Sequence, residues 1–268
     1  MEKTIYAPPL TVDNPNDCYF YHSIDLPGHG LITGDWDLRA NVDDYLGRVD
    51  VKGKKVLEVG TANGYLCFEM ERRGAEVTGY DLSPAHDWDY VPFNGKVDED
   101  LIVKRKDNIR RLNRAWWLGH RCFNSRARVV YGPVYQIPES IGPVDISTFG
   151  AILLHLRDPF LAIQKAANIT RETIIVTDLM PSYFSQSPTF GRYRLYKHLF
   201  WQILKPSMVF MPDPATKSPN DTWWNLPPKT ICHFLNMLGF QNQQVLYHTQ
   251  MYKTHKFQLY TVVGRRSS

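Results

Sequence analysis

Gly60 and Gly64 stand four residues apart at the junction of a short apolar run and a helical pattern, with only Thr61, Ala62 and Asn63 between them. A glycine at a strand end permits a sharp turn. A second at a helix start lets a ligand lie close to the backbone. The exposed helix N-terminus favours negative charge. Asp81 follows 21 residues after Gly60, where an acid can accept both hydroxyls of a ribose. These residues predict a nucleoside-containing ligand at the carboxyl ends of strands. A dinucleotide fingerprint would require glycine at the positions of Ala62 and Tyr65, and no Gly-Lys-Ser/Thr follows for a P-loop.

The elements that must position these residues alternate. Residues 55–59 read as a strand, 65–73 as a helix stopped by Gly74, and 76–82 as a second strand. Residues 100–123 form a long helical pattern, with Ile102, Ile109, Leu112, Trp116 and Leu118 as its expected buried face. Strands follow at 128–131, 144–153 and 173–177, with a helix at 159–167. A helix at 229–238 and strands at 244–248 and 258–263 close the pattern. Strands alternating with helices predict a parallel sheet, and the last two strands, with no helix between them, an antiparallel hairpin at its edge. Residues 1–45 lack a sustained period and read as an N-terminal cap before a domain at 46–268. Residues 179–227, dense in aromatic side chains, read as a lid inserted within that domain.

Glu58-x-Gly60-x-x-x-Gly64-x-Leu66, followed by Asp81 and a terminal strand hairpin, resembles the class I S-adenosylmethionine (SAM) dependent methyltransferases. The resemblance implies an α/β, Rossmann-like, seven-stranded and mostly parallel sheet with its last strand antiparallel. It implies Glu58 near the methionine amino group, residues 60–64 (Gly60, Thr61, Ala62, Asn63, Gly64) under the amino acid and ribose, and Asp81 with Leu82 at the ribose. Gly132, Pro133 and Val134 would border the adenine, and Leu153 would line the cofactor. Residues 20–39 and 150–163 resemble the methyltransferases grouped with the tRNA wobble-uridine enzymes, whose name-giving member uses carboxy-SAM held partly by lysine. No lysine lies between Tyr6 and Arg48, so ordinary SAM is the expected cofactor, with Trp36 and Arg39 beside it and Arg39 facing its carboxylate.

Methyl transfer from a sulfonium is an in-line displacement that needs a positioned acceptor and often a base. His155, just past the fourth strand, is the candidate base, and a turn-capping histidine is its alternative role. His22, with Tyr21 and Asp25 nearby, is a candidate for orienting the acceptor. From the lid, Tyr183, Arg192, Tyr196, Trp223 and Trp224 are candidate acceptor contacts, fitting an anionic or ring-containing small molecule. The basic stretch 104–121 fits either a solvated helix face or a phosphate-contacting one, so tRNA stands as the alternative acceptor.

Composition narrows the field. The 268 residues carry a net charge of only +4, well short of a nucleic-acid-binding extreme. No cluster has metal-ligand spacing, so no metal is expected. Cys18, Cys67, Cys122 and Cys232 form no CxxC pair and read as reduced thiols of a cytoplasmic protein. No signal sequence and no membrane-spanning run is legible. Oligomeric state leaves no trace in the sequence.

Overall fold

A computed structural model describes residues 4–181 and 206–267. In chain order its strands are β1 (Ile24–Leu26), β2 (Gly30–Ile32), β3 (Trp36–Asp37), β4 (Lys55–Val59), β5 (Glu76–Asp81), β6 (Arg128–Tyr131) and β7 (Val144–Gly150). They continue with β8 (Thr170–Leu179), β9 (Val209–Phe210), β10 (Trp224–Asn225), β11 (Asn242–Tyr252) and β12 (His255–Arg265). The described α-helices are α1 (Val42–Tyr45), α2 (Tyr65–Arg72), α3 (Glu99–Cys122), α4 (Pro159–Ala167) and α5 (Pro228–Met237).

The main sheet has the order β3-β11-β12-β8-β7-β4-β5-β6. β4, β5, β6, β7 and β8 run parallel, and β12 is antiparallel to both β8 and β11. The expected seven strands are present, and the N-terminal segment adds β3 as an eighth at the edge. The terminal hairpin is antiparallel as expected and closes this end of the seven-stranded sheet, with β12 inserted between β8 and β11 and only the two-residue β3 beyond it. Side chains of β12 supply the reason, since Tyr260, Val262 and Val263 are fully buried and need cover on both faces.

One face packs against α1, α2 and α3 through Val56, Phe68, Met70, Trp116 and Leu118, and the other against α4 and α5 through Leu57, Phe149, Ile163, Ile231 and Leu235. In α3 the buried stripe is Ile109, Asn113 and the run from Ala115 to Gly119. Ile102 and Leu112, expected inside, are only half-buried, and the polar Asn113 takes the position facing the sheet. None of the described helices is long and apolar enough to cross a membrane.

The N-terminal segment wraps this body from edge to edge. The Ala7 amide bonds the Val129 carbonyl beside β6, the Tyr19 amide bonds the Arg111 carbonyl on α3, and β3 joins β11 at the opposite edge. The basic residues of α3 help hold it. Arg114 pairs with Asp17, Arg121 with Asp13, and Arg111 donates to the Cys18 carbonyl. Arg105 pairs with Asp221, Lys106 with Asp87 and Arg110 with Asp107. The helix is thus largely charge-balanced within the molecule.

Candidate functional site

The turn after β4 is built as its glycines require. Gly60 (φ +82°) and Gly64 (φ +83°) occupy the left-handed region, and Ala62 does so at φ +49°. The close approach to each glycine comes from the protein itself. A Cβ on Gly60 would lie 2.4 Å from Ile152 Cγ2, and one on Gly64 would lie 2.7 Å from both Phe68 and Trp116. Asn63 is fully buried beneath the turn. It accepts from the His22 amide (2.8 Å) and donates to the His22 carbonyl (3.1 Å).

Asp81 ends β5 with each carboxylate oxygen already accepting one backbone N–H, from Ala62 (2.8 Å) and Leu82 (2.7 Å). Each oxygen keeps acceptor capacity for a hydroxyl. Burial pushes this acid up to about 6, against the pull of the two amides. Asn113 steadies the same corner by donating to the Leu82 carbonyl (3.1 Å). The Gly132 amide bonds the Asp81 carbonyl, and the Pro133 carbonyl takes the Tyr80 hydroxyl. Val134 opens a short 3-10 turn beyond them.

Glu58 sits under the turn, 2% exposed. Its Oε2 accepts from Thr61 Oγ1 (2.9 Å) and Cys67 Sγ (2.6 Å). Among the described residues Oε1 has no hydrogen bond. Burial lifts the carboxyl to about 8, so it is protonated near neutrality until a cation approaches. An acid with one unmatched oxygen and an acid pair of acceptors 2–3 Å from backbone amides fit a ligand carrying an ammonium and a diol.

His155 stands in a short 3-10 turn after β7, entered through Ala151 at φ +51°. Its Nδ1 bonds the Asp221 carbonyl, which can only accept, so Nδ1 carries the proton. The neutral ring then keeps a lone pair on Nε2, which has no partner among the described residues. Burial lowers the imidazole below its usual range. The turn-capping alternative does not apply, because Asp158 caps α4 by accepting from the Leu161 amide. His22 is buried with Nδ1 unpartnered, and burial takes it down to about 4.

Several expected contacts lie elsewhere. Arg39 is engaged by Asp37 and Asp25 through Nε, Nη1 and Nη2. It lines a groove of about 620 Å³ along α2 with Tyr65, Phe68 and Arg72, and its charge is already neutralised. Asp25, the outward-facing residue of β1, is accordingly its salt-bridge partner. Trp36 packs its ring against Tyr252 and Phe257 and donates to the Tyr21 hydroxyl, so both Trp36 and Tyr21 serve the packing of β3 on the sheet. Leu153 is fully buried in the core, and its neighbour Ile152 is the residue that reaches Gly60. Trp223 and Trp224 turn their indole N–H groups to the Asp89 and Arg157 carbonyls. Tyr183, Arg192 and Tyr196 lie outside the described residues.

Four residues beside these groups escaped the sequence. Asn113 was hidden in a helical run, and Trp88, its ring tilted against that of His155 at 5.7 Å, in an irregular loop. Asp221 acts through its backbone. Asp178, at the carboxyl end of β8, carried a legible signal, an acid where parallel-sheet proteins bind ligands.

An open parallel sheet with one inserted antiparallel strand and an acid-lined turn after its first parallel strand defines the class I methyltransferase architecture. The chain belongs to the methyltransferase-domain family, which matches residues 36–195. Among solved structures it is similar to SAM-dependent methyltransferases from Methanosarcina mazei, at 11% identity over 82% of this chain and 95% of that one, with a TM-score of 0.52. It is also similar to an O-methyltransferase family protein from Burkholderia thailandensis, at 12% identity over 86% and 57% of the two chains, with a TM-score of 0.51. The N-terminal domain of EvdMO1, solved with SAH bound, is 17% identical over 85% and 79%, with a TM-score of 0.48. At these identities the likeness concerns the fold.

Proposed function

We propose that the protein transfers a methyl group from SAM to a hydroxyl oxygen of a small or medium-sized, ring-containing acceptor. The observation that carries this reading is the fixed tautomer of His155. Its Nδ1–H is tied to the Asp221 carbonyl, leaving Nε2 to take the proton of an acceptor hydroxyl. SAM, when bound, supplies an activated methyl on a sulfonium whose sulfur keeps the bonding electron pair as the methyl leaves. Glu58 Oε1 is suited to the ammonium of the amino-acid moiety, and Asp81 to the ribose hydroxyls. Trp223 and Trp224 have committed their N–H groups to the protein, and their rings pack on Arg157 and Phe210, so the ring-containing acceptor is supported by the aromatic content of residues 179–227 as a whole.

The tRNA alternative is disfavoured by α3, whose Arg and Lys side chains are largely paired within the molecule. The test is transfer of labelled methyl from SAM into a cell extract, with the product split by size and RNase sensitivity. Label in small metabolites is the expected result, and RNase-sensitive label would replace this reading with the tRNA one. SAM binding without label in any fraction would indicate a non-catalytic SAM-binding module.

A further inference from the structure

Asp178 is 2% exposed at the carboxyl end of β8. Its Oδ1 accepts from the Leu179 amide at 2.7 Å, while its Oδ2 is fully buried with no partner. Folded proteins leave few such atoms, because each costs about 1–3 kcal/mol. Two nearby donors are committed elsewhere. Tyr260, directly opposite in register, donates its hydroxyl to the Leu226 carbonyl (2.6 Å). The Thr177 hydroxyl is taken up by the Tyr45 carbonyl and Thr261.

The position is also specific. β7 and β8 are neighbours, and the Ala151 amide bonds the Thr177 carbonyl (2.7 Å). The strained turn at Ala151 (φ +51°) carries Ile152 over Gly60 and leads to His155 four residues on. The segment bearing Trp223 and Leu226 closes over the same end: the Trp223 amide bonds the Leu154 carbonyl, and Leu226 takes the Tyr260 hydroxyl. Asp178 therefore lies where two strand ends, the glycine turn and the aromatic segment converge.

We propose that Asp178 is an acceptor-binding residue, with Oδ2 taking a hydrogen bond from a second donor, a hydroxyl or amino group, carried by the acceptor in addition to the oxygen that is methylated. The inference rests on the methyl-transfer reading above and narrows its substrate class to acceptors bearing a second polar donor besides the oxygen that is methylated. Burial raises this carboxyl to about 7, so its charged form is disfavoured until a donor arrives at Oδ2 to stabilise it. A purely structural acid here would need a partner to offset its desolvation, and none is provided.

The test is Asp178→Asn beside Asp178→Leu. Asn keeps an oxygen for the Leu179 amide and replaces Oδ2 with a donor, and Leu removes the polar atoms. Both variants should melt no lower than the wild type and bind S-adenosylhomocysteine within about threefold of it by calorimetry. Methyl transfer into the small-molecule fraction of an extract should fall at least ~30-fold in both, the size expected for a mismatched buried hydrogen bond. Unchanged transfer would overturn the proposal. So would a parallel loss of S-adenosylhomocysteine affinity, which would assign Asp178 to the cofactor, or a collapse of both melting transitions, which would make it a fold residue. A wild type that binds the cofactor product but labels nothing overturns the methyl-transfer reading itself. An active Asp178→Asn beside an active wild type overturns only this inference.

Discussion

Asn63 and His22, 41 residues apart, are joined by two hydrogen bonds in which the Asn63 amide pairs with the His22 backbone as one strand pairs with another. The N-terminal segment is thereby fastened to the turn that carries Gly60 and Gly64. Asn63→Ala leaves a buried N–H and a buried C=O unmatched, at about 1–3 kcal/mol for each. The variant should lose that stability in urea titration. It should also exchange the His22 amide proton faster and bind S-adenosylhomocysteine roughly tenfold more weakly.

On the proposed reading, His155 Nδ1 is held by the Asp221 carbonyl and Nε2 serves as the base. His155→Asn places an amide donor near the Nδ1 position and removes Nε2, so it should melt like the wild type yet lose about 10²–10⁴-fold in turnover. His155→Gln offers a polar group near Nε2 but no base, and should be equally slow. Because burial lowers the wild-type imidazole, its acidic limb in a kcat/KM profile should fall below the ordinary histidine range near 6.5. A limb above that range would count against His155 as the base.

Glu58 and Asp178, lifted to about 8 and about 7, hold protons in the folded state that the unfolded chain has released. Stability from such raised acids is full below their unfolded values and is lost as pH rises through the folded ones. His22 and His248, lowered to about 4, act in the opposite sense, gaining stability as pH rises from about 4 to the unfolded histidine value. Between about pH 6.5 and 8 the acids act alone. The cofactor-free protein should therefore melt at a lower temperature at pH 8.5 than at pH 6.5, and Glu58→Gln should flatten that slope. If Glu58 meets an ammonium, S-adenosylhomocysteine binding at pH 7 should release a proton, read as a buffer-dependent calorimetric enthalpy.

Gly64→Ala forces a side chain into φ +83° and against Phe68 and Trp116. The backbone strain alone is of order 1–3 kcal/mol. We expect that loss in a denaturant titration and a distorted α2 N-terminus. Gly53→Ala, also at positive φ but with open space around it, isolates the strain from the clash and should cost less.

The parallel strands and their glycine turn were legible because a buried strand and a left-handed turn accept few residue types. Lys55–Val59, Arg128–Tyr131 and Pro159–Ala167 match their expected bounds. The added edge strand β3 was not, because the two residues Trp36 and Asp37 are too few to carry a strand period. Arg39 misled for another reason: its type suits a carboxylate, and only the fold shows that Asp37 and Asp25 already provide two. Asp221 contributes a carbonyl, which every residue has, so its type carried no signal.

The wrap of the N-terminal segment has a consequence for biosynthesis. Its Asn41 side chain bonds the Thr249 carbonyl across 208 positions of sequence, and Trp36 pairs with Tyr252. A ribosome delivers this belt first and its buckle on β11 last. During elongation the belt has α2 and α3 to rest on but no edge to fasten to. Fastening of the belt to β11 is thus a contact of very high sequence separation that must wait for the last strands to be made, and such contacts carry the largest loop-closure cost.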